Sequence, residues 1–303
     1  MAVDHSSPAA GIAGKGTINN RLGLAYMLAG MSLFATTDAI AKLLTENLSP
    51  LQVVWSRQFG LLAGVLIFIA IRGLGVLRTS QPKLQIGRGV LAACSATLFI
   101  MGISYMPLAD AVAITFVAPF MVTIMGAVLL KEPVGIRRWT AVVIGFVGTL
   151  IVIRPGMGVF HPAAILLILA AAAFAGRQVL SRVLANGDGT GTTVAYTAIV
   201  SWGLLCLPIP FVWQMPETGR DFALLAIIAV CAAGGETLII MALDIAHAVV
   251  LAPVQYILLL WGTMYGFVLF GQLPDGWTIL GAIIIMATGI YIVQREYKVR
   301  GGG

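Results

Sequence analysis

Charged residues are rare in this chain. Only 10% of the 303 residues are Asp, Glu, Lys or Arg, whereas 59% are hydrophobic and the mean hydropathy is +0.99. A soluble domain could not keep so apolar a surface in water. The composition therefore excludes a soluble nucleic-acid-binding protein, although the net charge is +6, and predicts an integral membrane protein embedded in the lipid bilayer.

Cysteine and histidine are also scarce, with three of each. Cys94, Cys206 and Cys231 lie in apolar stretches and form no CxxC pair, which indicates neither a disulfide nor a zinc site. The histidines are too scattered to hold a metal ion. The sequence contains no Walker A loop, GxSxG elbow or HExxH motif. We therefore expect no enzymatic activity, no cofactor and no metal.

Long apolar stretches are abundant, and each of ten is close to the 20 or so residues that cross a bilayer. The bilayer offers no water to unpaired backbone groups, so the spans are predicted to be helices. Pro119 and Pro253 are expected to kink two of them. The stretches cover residues 22–44, 50–71, 85–105, 109–130, 136–154, 161–185, 192–214, 221–243, 247–270 and 276–294.

The sequence also repeats itself at an offset of about 140 residues. FATTDAIAK (Phe34–Lys42) matches FAGRQVLSR (Phe174–Arg182), and GTLIVIR (Gly148–Arg154) matches GIYIVQR (Gly289–Arg295). With five spans per copy, the second copy runs opposite to the first, an arrangement typical of secondary transporters. The predicted fold is an all-α integral membrane protein with ten transmembrane helices in two inverted five-helix repeats. Its units are a disordered tail (1–20), a first repeat (21–156), a second repeat (157–296) and a C-terminal tail (297–303).

Most of the 18 Lys and Arg residues fall on one side if the N-terminus is placed inside the cell. The excess of Lys and Arg in cytoplasmic loops then predicts that both termini are cytoplasmic. Two GxxxG patterns, Gly60/Gly64 and Gly262/Gly266, indicate close helix packing, within the chain or between two copies. We expect a monomer in the bacterial inner membrane.

Four ionisable residues lie deep in the predicted spans, where they are costly and therefore candidates for function. Asp38 and Arg57 are predicted at one depth, and Arg177 and Glu236 at another, so each pair could meet. Either pair could be a static strut. Alternatively, Arg177 and Glu236 could bind the carboxylate and ammonium of a zwitterion, or Glu236 could bind a proton. Lys42, near a span end, is expected to extend to the membrane interface.

Polar and aromatic residues recur near these charges and would suit a mostly apolar or aromatic metabolite. The predicted substrate-binding set is Asp38, Thr37, Thr97, Phe99, Phe116, Arg177, Gln178, Glu236, Gln255, Tyr256 and Trp261.

The segment Tyr105–Gly156 resembles the EamA domain of the drug/metabolite transporter superfamily. The similarity lies in Pro119 on span four, Lys131–Glu132 at its inner end, and the glycines Gly145 and Gly148 on span five. The second copy has Gly271–Gln272 where the first has Lys131–Glu132, so its acidic residue is missing.

The resemblance implies ten helices, cytoplasmic termini, and a central cavity lined by spans one, three, four, six, eight and nine. Arg57 lies on none of these, which favours a structural role for it. Among family members the chain looks most similar to bacterial exporters of amino acids. We therefore expect a secondary transporter that exports small metabolites, most of all amino acids, by alternating access, with protons as the candidate coupling ion.

Three alternatives remain open at this stage. One is uptake of a vitamin or nucleoside-like metabolite such as riboflavin or S-adenosylmethionine. Another is an uncoupled channel or facilitator. The third is a structural or receptor-like membrane protein that moves nothing.

Overall fold

The computed structural model describes residues 19–131, 135–154, 161–184, 187–246 and 251–300. Glu132, the last three residues and all but the end of the expected N-terminal tail lie outside these ranges. Within them every regular element is helical and no strand occurs, so the all-α prediction is confirmed. The helices are α1 (Asn20–Leu44), α2 (Pro50–Arg72), α3 (Pro82–Tyr105), α4 (Leu108–Thr115), α5 (Ala118–Leu129), α6 (Ile136–Ile153), α7 (Ala163–Leu184), α8 (Thr190–Cys206), α9 (Ile209–Val212), α10 (Gly219–Ile245), α11 (Ile257–Phe270) and α12 (Gly276–Arg300), with short 3-10 helices at Leu74–Leu77 and Ala252–Tyr256.

Seven helical segments of the described residues are long and apolar enough to cross a membrane. Shorter apolar segments occur in α6, over Trp139–Ile153, and in α12, over Gly276–Tyr291. The protein is therefore a multi-pass membrane protein. The seven segments are Asn20–Leu44, Pro50–Arg72, Pro82–Tyr105, Leu108–Leu129, Ala163–Leu184, Gly219–Leu243 and Pro253–Phe270.

The fourth predicted span is broken between α4 and α5. Pro119 has no N–H to donate to the carbonyl of Thr115, so the α-helical ladder is interrupted there. The N–H groups of Phe116 and Val117 bond instead to the carbonyls three residues earlier, at 3.2 and 3.1 Å. Pro253 likewise lies in a 3-10 helix, directly before α11. Both prolines thus lie where the regular α-helical hydrogen bonding of their predicted spans is interrupted, and the kink expected at each stays a prediction.

Glycine allows several helices to pack unusually closely. A Cβ atom on Gly60 would overlap the Ala229 carbonyl, so α2 and α10 meet backbone to backbone. A Cβ on Gly262 would lie 3.4 Å from Val112, which places α11 against α4. The GxxxG patterns thus include glycines that pack within the chain, as one of the two sequence interpretations expected.

The helices pair in a regular pattern. The largest contacts join α1 to α10, α3 to α7, and α6 to α12. Smaller contacts join α2 to α10, α3 to α8, and α2 to α8. Much of α4 lies in the core, where Leu108, Ala113 and Ile114 are almost fully buried. The short helix α4 therefore contacts the interior of the bundle along most of its length.

Candidate functional site

The first deep charge pair joins α1 to α2. The Arg57 Nη1 atom lies 3.4 Å from the Asp38 Oδ1 atom, and both side chains are about 15% exposed, at 16% and 14%. The Arg57 guanidinium also lies over the Phe34 ring, 5.5 Å from its centroid. The predicted pairing is confirmed. Because each charge has a partner, this pair can stabilise the contact between the two helices without any ligand.

The second predicted pair does not close. Arg177 on α7 and Glu236 on α10 interact electrostatically, but their charged atoms are not within the 4.0 Å of an ion pair. The Arg177 guanidinium instead lies over the Phe174 ring, at 4.8 Å, which holds it away from the carboxylate. Its Nε atom is buried without a hydrogen-bond partner among the described residues. The prediction of a direct Arg177–Glu236 pair is therefore wrong.

A third arginine, Arg88 on α3, belongs to the same group of charges, although it was not among the predicted site residues. It is 9% exposed, and its Nε atom donates to the Ser181 hydroxyl at 2.7 Å. It also donates to the Thr197 hydroxyl. Arg88 interacts electrostatically with both Arg177 and Glu236. These hydroxyls fix Arg88 between α7 and α8, so its charge acts from a set position.

Together these residues form a connected group, which we call the charge chain: Asp38, Arg57, Arg177, Glu236 and Arg88. Arg57 and Arg177 are close enough to repel each other, which joins the two predicted pairs into one group. Three cations face two anions, so the chain carries one net positive charge when all are ionised. Such a site favours a ligand with a carboxylate or another anion.

Two of the stacked aromatic pairs contain predicted site residues. The Trp261 and Tyr265 rings stack at 5.6 Å between centroids, and Tyr265 shares a hydrogen bond of 2.9 Å with the Thr36 hydroxyl. The Trp261 Nε1 atom is buried without a partner among the described residues. Phe116 stacks on Tyr256 at 5.0 Å, where the two interrupted spans meet. Trp261 therefore offers an unused donor beside a planar surface.

The remaining predicted residues occupy different environments. Thr37 is fully buried, and its hydroxyl donates to the Leu33 carbonyl at 2.9 Å, so it offers nothing to a ligand in this conformation. Gln255 is exposed. Thr97, Phe99 and Gln178 are partly buried on α3 and α7. The structure does not bring all of these residues together around one point.

Lys42 corrects another expectation. It does not extend to the membrane interface, because it is only 8% exposed. Its Nζ atom donates to the Ile103 carbonyl at 2.9 Å and to the Met106 carbonyl, at the C-terminal end of α3. It also lies 5.2 Å from the centroid of the Phe270 ring. Lys42 thus neutralises the negative end of a helix dipole, a role that the sequence did not reveal.

The helix connections are fastened at two places by side chains. The Asp188 carboxylate, between α7 and α8, accepts hydrogen bonds from Thr79 and, at 2.8 Å, from Gln85. These bonds, first that from Thr79, lower the pKa of Asp188 below its ordinary value. Elsewhere the buried Gln52 amide bonds both backbone groups of Gln214, each at 2.9 Å. We call these contacts the carboxylate fastening and the amide fastening.

Comparison with known proteins identifies the family. Residues 21–154 match the EamA-like transporter family. The first half of the chain is an EamA-like transporter domain, and the relatives that match along nearly the whole chain are membrane transporters. It is 26% identical over 276 residues to the S-adenosylmethionine uptake transporter of Rickettsia prowazekii (strain Madrid E), covering 91% of this chain and 94% of that protein.

Other relatives of this EamA-family transporter carry different compounds. The riboflavin transporter of Vibrio cholerae serotype O1 is 29% identical, with 91% of this chain and 94% of that protein covered. The pseudopaline exporter of Pseudomonas aeruginosa is 26% identical, with 87% and 93% covered. A solved crystal structure shares the fold with a TM-score of 0.63 at 17% identity, covering 94% of this chain and all of that one. The family expectation is confirmed, but the relatives do not support amino acid export in particular.

Proposed function

We propose that this protein is a secondary transporter of a zwitterionic metabolite with an aromatic group, and that S-adenosylmethionine is its foremost candidate substrate. Transport would take place across the bacterial inner membrane by alternating access. The observation that carries the proposal is the open arrangement of Arg177 and Glu236, two opposite charges that share a site without neutralising each other by direct contact.

The charges suit the amino acid end of such a substrate. The unpartnered Arg177 Nε atom can donate to a carboxylate, and the fixed charge of Arg88 adds attraction. The Glu236 carboxylate can accept from the ammonium group. A free zwitterion placed between them would complete hydrogen bonds that the protein leaves unmade, and burial would strengthen those bonds.

The aromatic side chains suit the other end of the substrate. A planar ring such as adenine could stack near Trp261 and Tyr265 and accept a hydrogen bond from the buried Trp261 Nε1 atom. A cavity of about 630 Å³ also lies between the α1–α2 connection and the segment before α10, lined by Glu46, Glu217 and Asp221. These carboxylates would attract a substrate that carries a cationic centre, as S-adenosylmethionine does.

The architecture of two inverted repeats belongs to this proposal. At the offset that relates Phe34 to Phe174, α1 corresponds to α7, α2 to α8, and α3 to α10. The main helix contacts are then paired, because α1 packs on α10 as α7 packs on α3, and α2 packs on α10 as α8 packs on α3. This regularity supports ten spans in units 21–156 and 157–296. The proposal also includes a monomer with cytoplasmic termini.

Two other substrates have specific support. Free amino acids carry the same zwitterion, so the charge chain fits them too, and amino acid export remains a candidate. Riboflavin is favoured by the riboflavin transporter among the relatives and by the two aromatic stacks, but it would leave Arg177 and Glu236 unused. The relatives include uptake and export proteins, so we propose uptake for S-adenosylmethionine and keep export as the alternative.

Counterflow in proteoliposomes tests the proposal. Vesicles loaded with unlabelled S-adenosylmethionine should accumulate the labelled compound, with saturable kinetics, and Arg177→Ala should abolish the exchange. Parallel vesicles loaded with riboflavin or with single amino acids compare the other candidates. Flux that does not saturate would indicate a channel. Exchange of riboflavin alone, unaffected by Arg177→Ala, would contradict the zwitterion site.

A further inference from the structure

A second polar cluster, part buried and part exposed, lies one helical turn along α1 from Asp38, where α1, α4, the end of α6 and the start of α12 meet. We call it the Asp110 cluster, and it consists of Lys42, Asp110, Arg154, Asp275 and Thr278. Two cations and two carboxylates give it no net charge when all are ionised. A divalent cation therefore gains little from binding there.

Both cations of the Asp110 cluster are committed to other partners. Lys42 donates to the carbonyls of Ile103 and Met106, as described above. Arg154 ends α6 in the left-handed conformation, at φ 50, and its Nη2 atom lies 2.6 Å from the Asp275 Oδ2 atom. Asp275 in turn accepts the Thr278 N–H at 2.8 Å and so begins α12. Neither Lys42 nor Arg154 forms an ion pair with Asp110.

Asp110 is left incompletely bonded. Its Oδ1 atom is buried and has no hydrogen-bond partner among the described residues. The Thr278 hydroxyl, on a residue only 3% exposed, is close enough to act on both Asp110 and Asp275, but it has the geometry of a hydrogen bond with neither, and the Arg154 Nε atom is also unpartnered. A buried carboxylate oxygen without a well-formed hydrogen bond is costly, and adding a proton reduces that cost. The Thr278 hydroxyl could then accept a hydrogen bond from the protonated carboxyl.

We propose that Asp110 is the proton-binding carboxylate of this transporter, separate from the substrate-binding residues Arg177 and Glu236. Asp110 takes up one proton from one side of the membrane and releases it on the other, and no other bond changes. This assignment leaves Glu236 to bind the ammonium of the substrate. Its consequence for transport rests on the proposed function, but proton binding itself does not.

The fold connects Asp110 to the centre of the bundle. Asp110 lies in the first turn of α4, and six residues later the same helix ends at Phe116, about 9 Å along its axis. Phe116 stacks on Tyr256, directly before α11. Ionised Asp110 is attracted to Lys42 on α1 and to Arg154 after α6, whereas protonated Asp110 is not. Protonation would therefore loosen α4 and let Phe116 shift.

The first test is independent of any substrate. Infrared difference spectra of the purified protein in lipid, recorded across a pH titration, report the carbonyl stretch of protonated carboxyl groups. We expect one component of this band to be lost in Asp110→Asn and retained in Asp188→Asn. Asp188 is the control, because it is also an aspartate held among polar side chains, but its carboxylate accepts hydrogen bonds from Thr79 and Gln85 and lies outside the substrate-binding residues. An unchanged band in Asp110→Asn would overturn the proposal.

The second test uses transport. Asp110→Asn should keep counterflow within about twofold of the parent protein but lose accumulation driven by an imposed pH gradient, whereas Asp188→Asn should keep both. Accumulation by Asp110→Asn equal to that of the parent, or a parent protein that ignores the gradient, would refute the coupling role. Absence of counterflow in the parent would instead count against the proposed substrate.

Two further variants keep the question decidable if Asp110→Asn does not fold. Asp110→Glu keeps a carboxyl and should keep coupling with a shifted pH profile. Thr278→Val removes the hydroxyl beside Asp110 and should also shift the profile. Profiles identical to that of the parent in both variants would overturn the proposal.

Discussion

The two deep charge pairs differ although they are built on matching sequence segments. Phe34 and Phe174 occupy equivalent positions in the repeated sequence segments. An arginine guanidinium lies over each ring, 5.5 and 4.8 Å from the ring centroid. Arg57, however, is paired with Asp38 at 3.4 Å, whereas Arg177 has no acid within ion-pair distance among the described residues. The first pair is complete without a ligand and the second is not. Depth in the membrane therefore does not distinguish a structural ion pair from a binding site. What distinguishes them is whether the arginine already has an acid within ion-pair distance.

The largest expected effect on transport comes from removing Arg177, the arginine without an ion-pair partner. Arg177→Ala should lower counterflow of a zwitterionic substrate by about 100-fold, because a charged hydrogen bond to the carboxylate is lost. Arg177→Lys should recover part of it. The measurement is initial exchange rate in proteoliposomes. The matched control is the double variant Asp38→Asn/Arg57→Gln, which also removes an intramembrane arginine and should exchange at nearly the parent rate. Equal losses in both would remove the distinction.

A smaller effect is expected from the acid of the open pair. Glu236→Gln should raise the KM for the zwitterion about tenfold, because the ammonium loses its ionic partner, and should leave the response to a pH gradient intact. Saturation curves at several pH values measure both quantities. If Glu236→Gln instead transports normally but loses its pH dependence, Glu236 rather than Asp110 carries the coupling proton.

The closed pair should affect stability more than transport. Asp38→Asn leaves Arg57 buried without its counter-ion, which should cost about 2–3 kcal/mol of folding free energy. The double variant Asp38→Asn/Arg57→Gln should recover much of that loss. Thermal unfolding in detergent, followed by tryptophan fluorescence, compares the three proteins. A double variant less stable than Asp38→Asn would show that the pair does more than neutralise Arg57.

The smallest expected effect is a difference in the pH dependence of Tm between variants of the carboxylate fastening and of the amide fastening. Because hydrogen bonds lower the pKa of Asp188 in the folded protein, its ionised form stabilises the fold at neutral pH. That contribution is lost as the pH falls through the lowered pKa, below about pH 4. Asp188→Asn should therefore lower Tm slightly at pH 7, and the difference should shrink in acid. Gln52→Ala, at the amide fastening, should lower Tm equally at both pH values, and a pH-dependent difference there would contradict this account.

The sequence alone was enough for the features that depend on position along a helix. Low charge and apolar stretches predicted the membrane helices, prolines predicted the interruption between α4 and α5, and the matching depths of Asp38 and Arg57 predicted their pairing. Residues Tyr105–Gly156 pointed to the family. Each of these follows from spacing, since depth in the bilayer is set by counting residues from the end of a span.

Only the tertiary structure decided which charges meet, because that depends on how each helix is rotated against its neighbours. Arg177 and Glu236 were predicted at one depth, yet the Arg177 guanidinium lies over the Phe174 ring and forms no ion pair with Glu236. Lys42 was expected in the membrane interface, but a carbonyl at the end of α3 lies close enough to accept a hydrogen bond from its ammonium group. Asp110 was not among the predicted site residues, and only the packing around it shows that its Oδ1 atom is buried without a hydrogen-bond partner among the described residues. The position of a residue along its helix determines how deep its side chain lies, whereas the packing of the helices determines which groups the side chain faces.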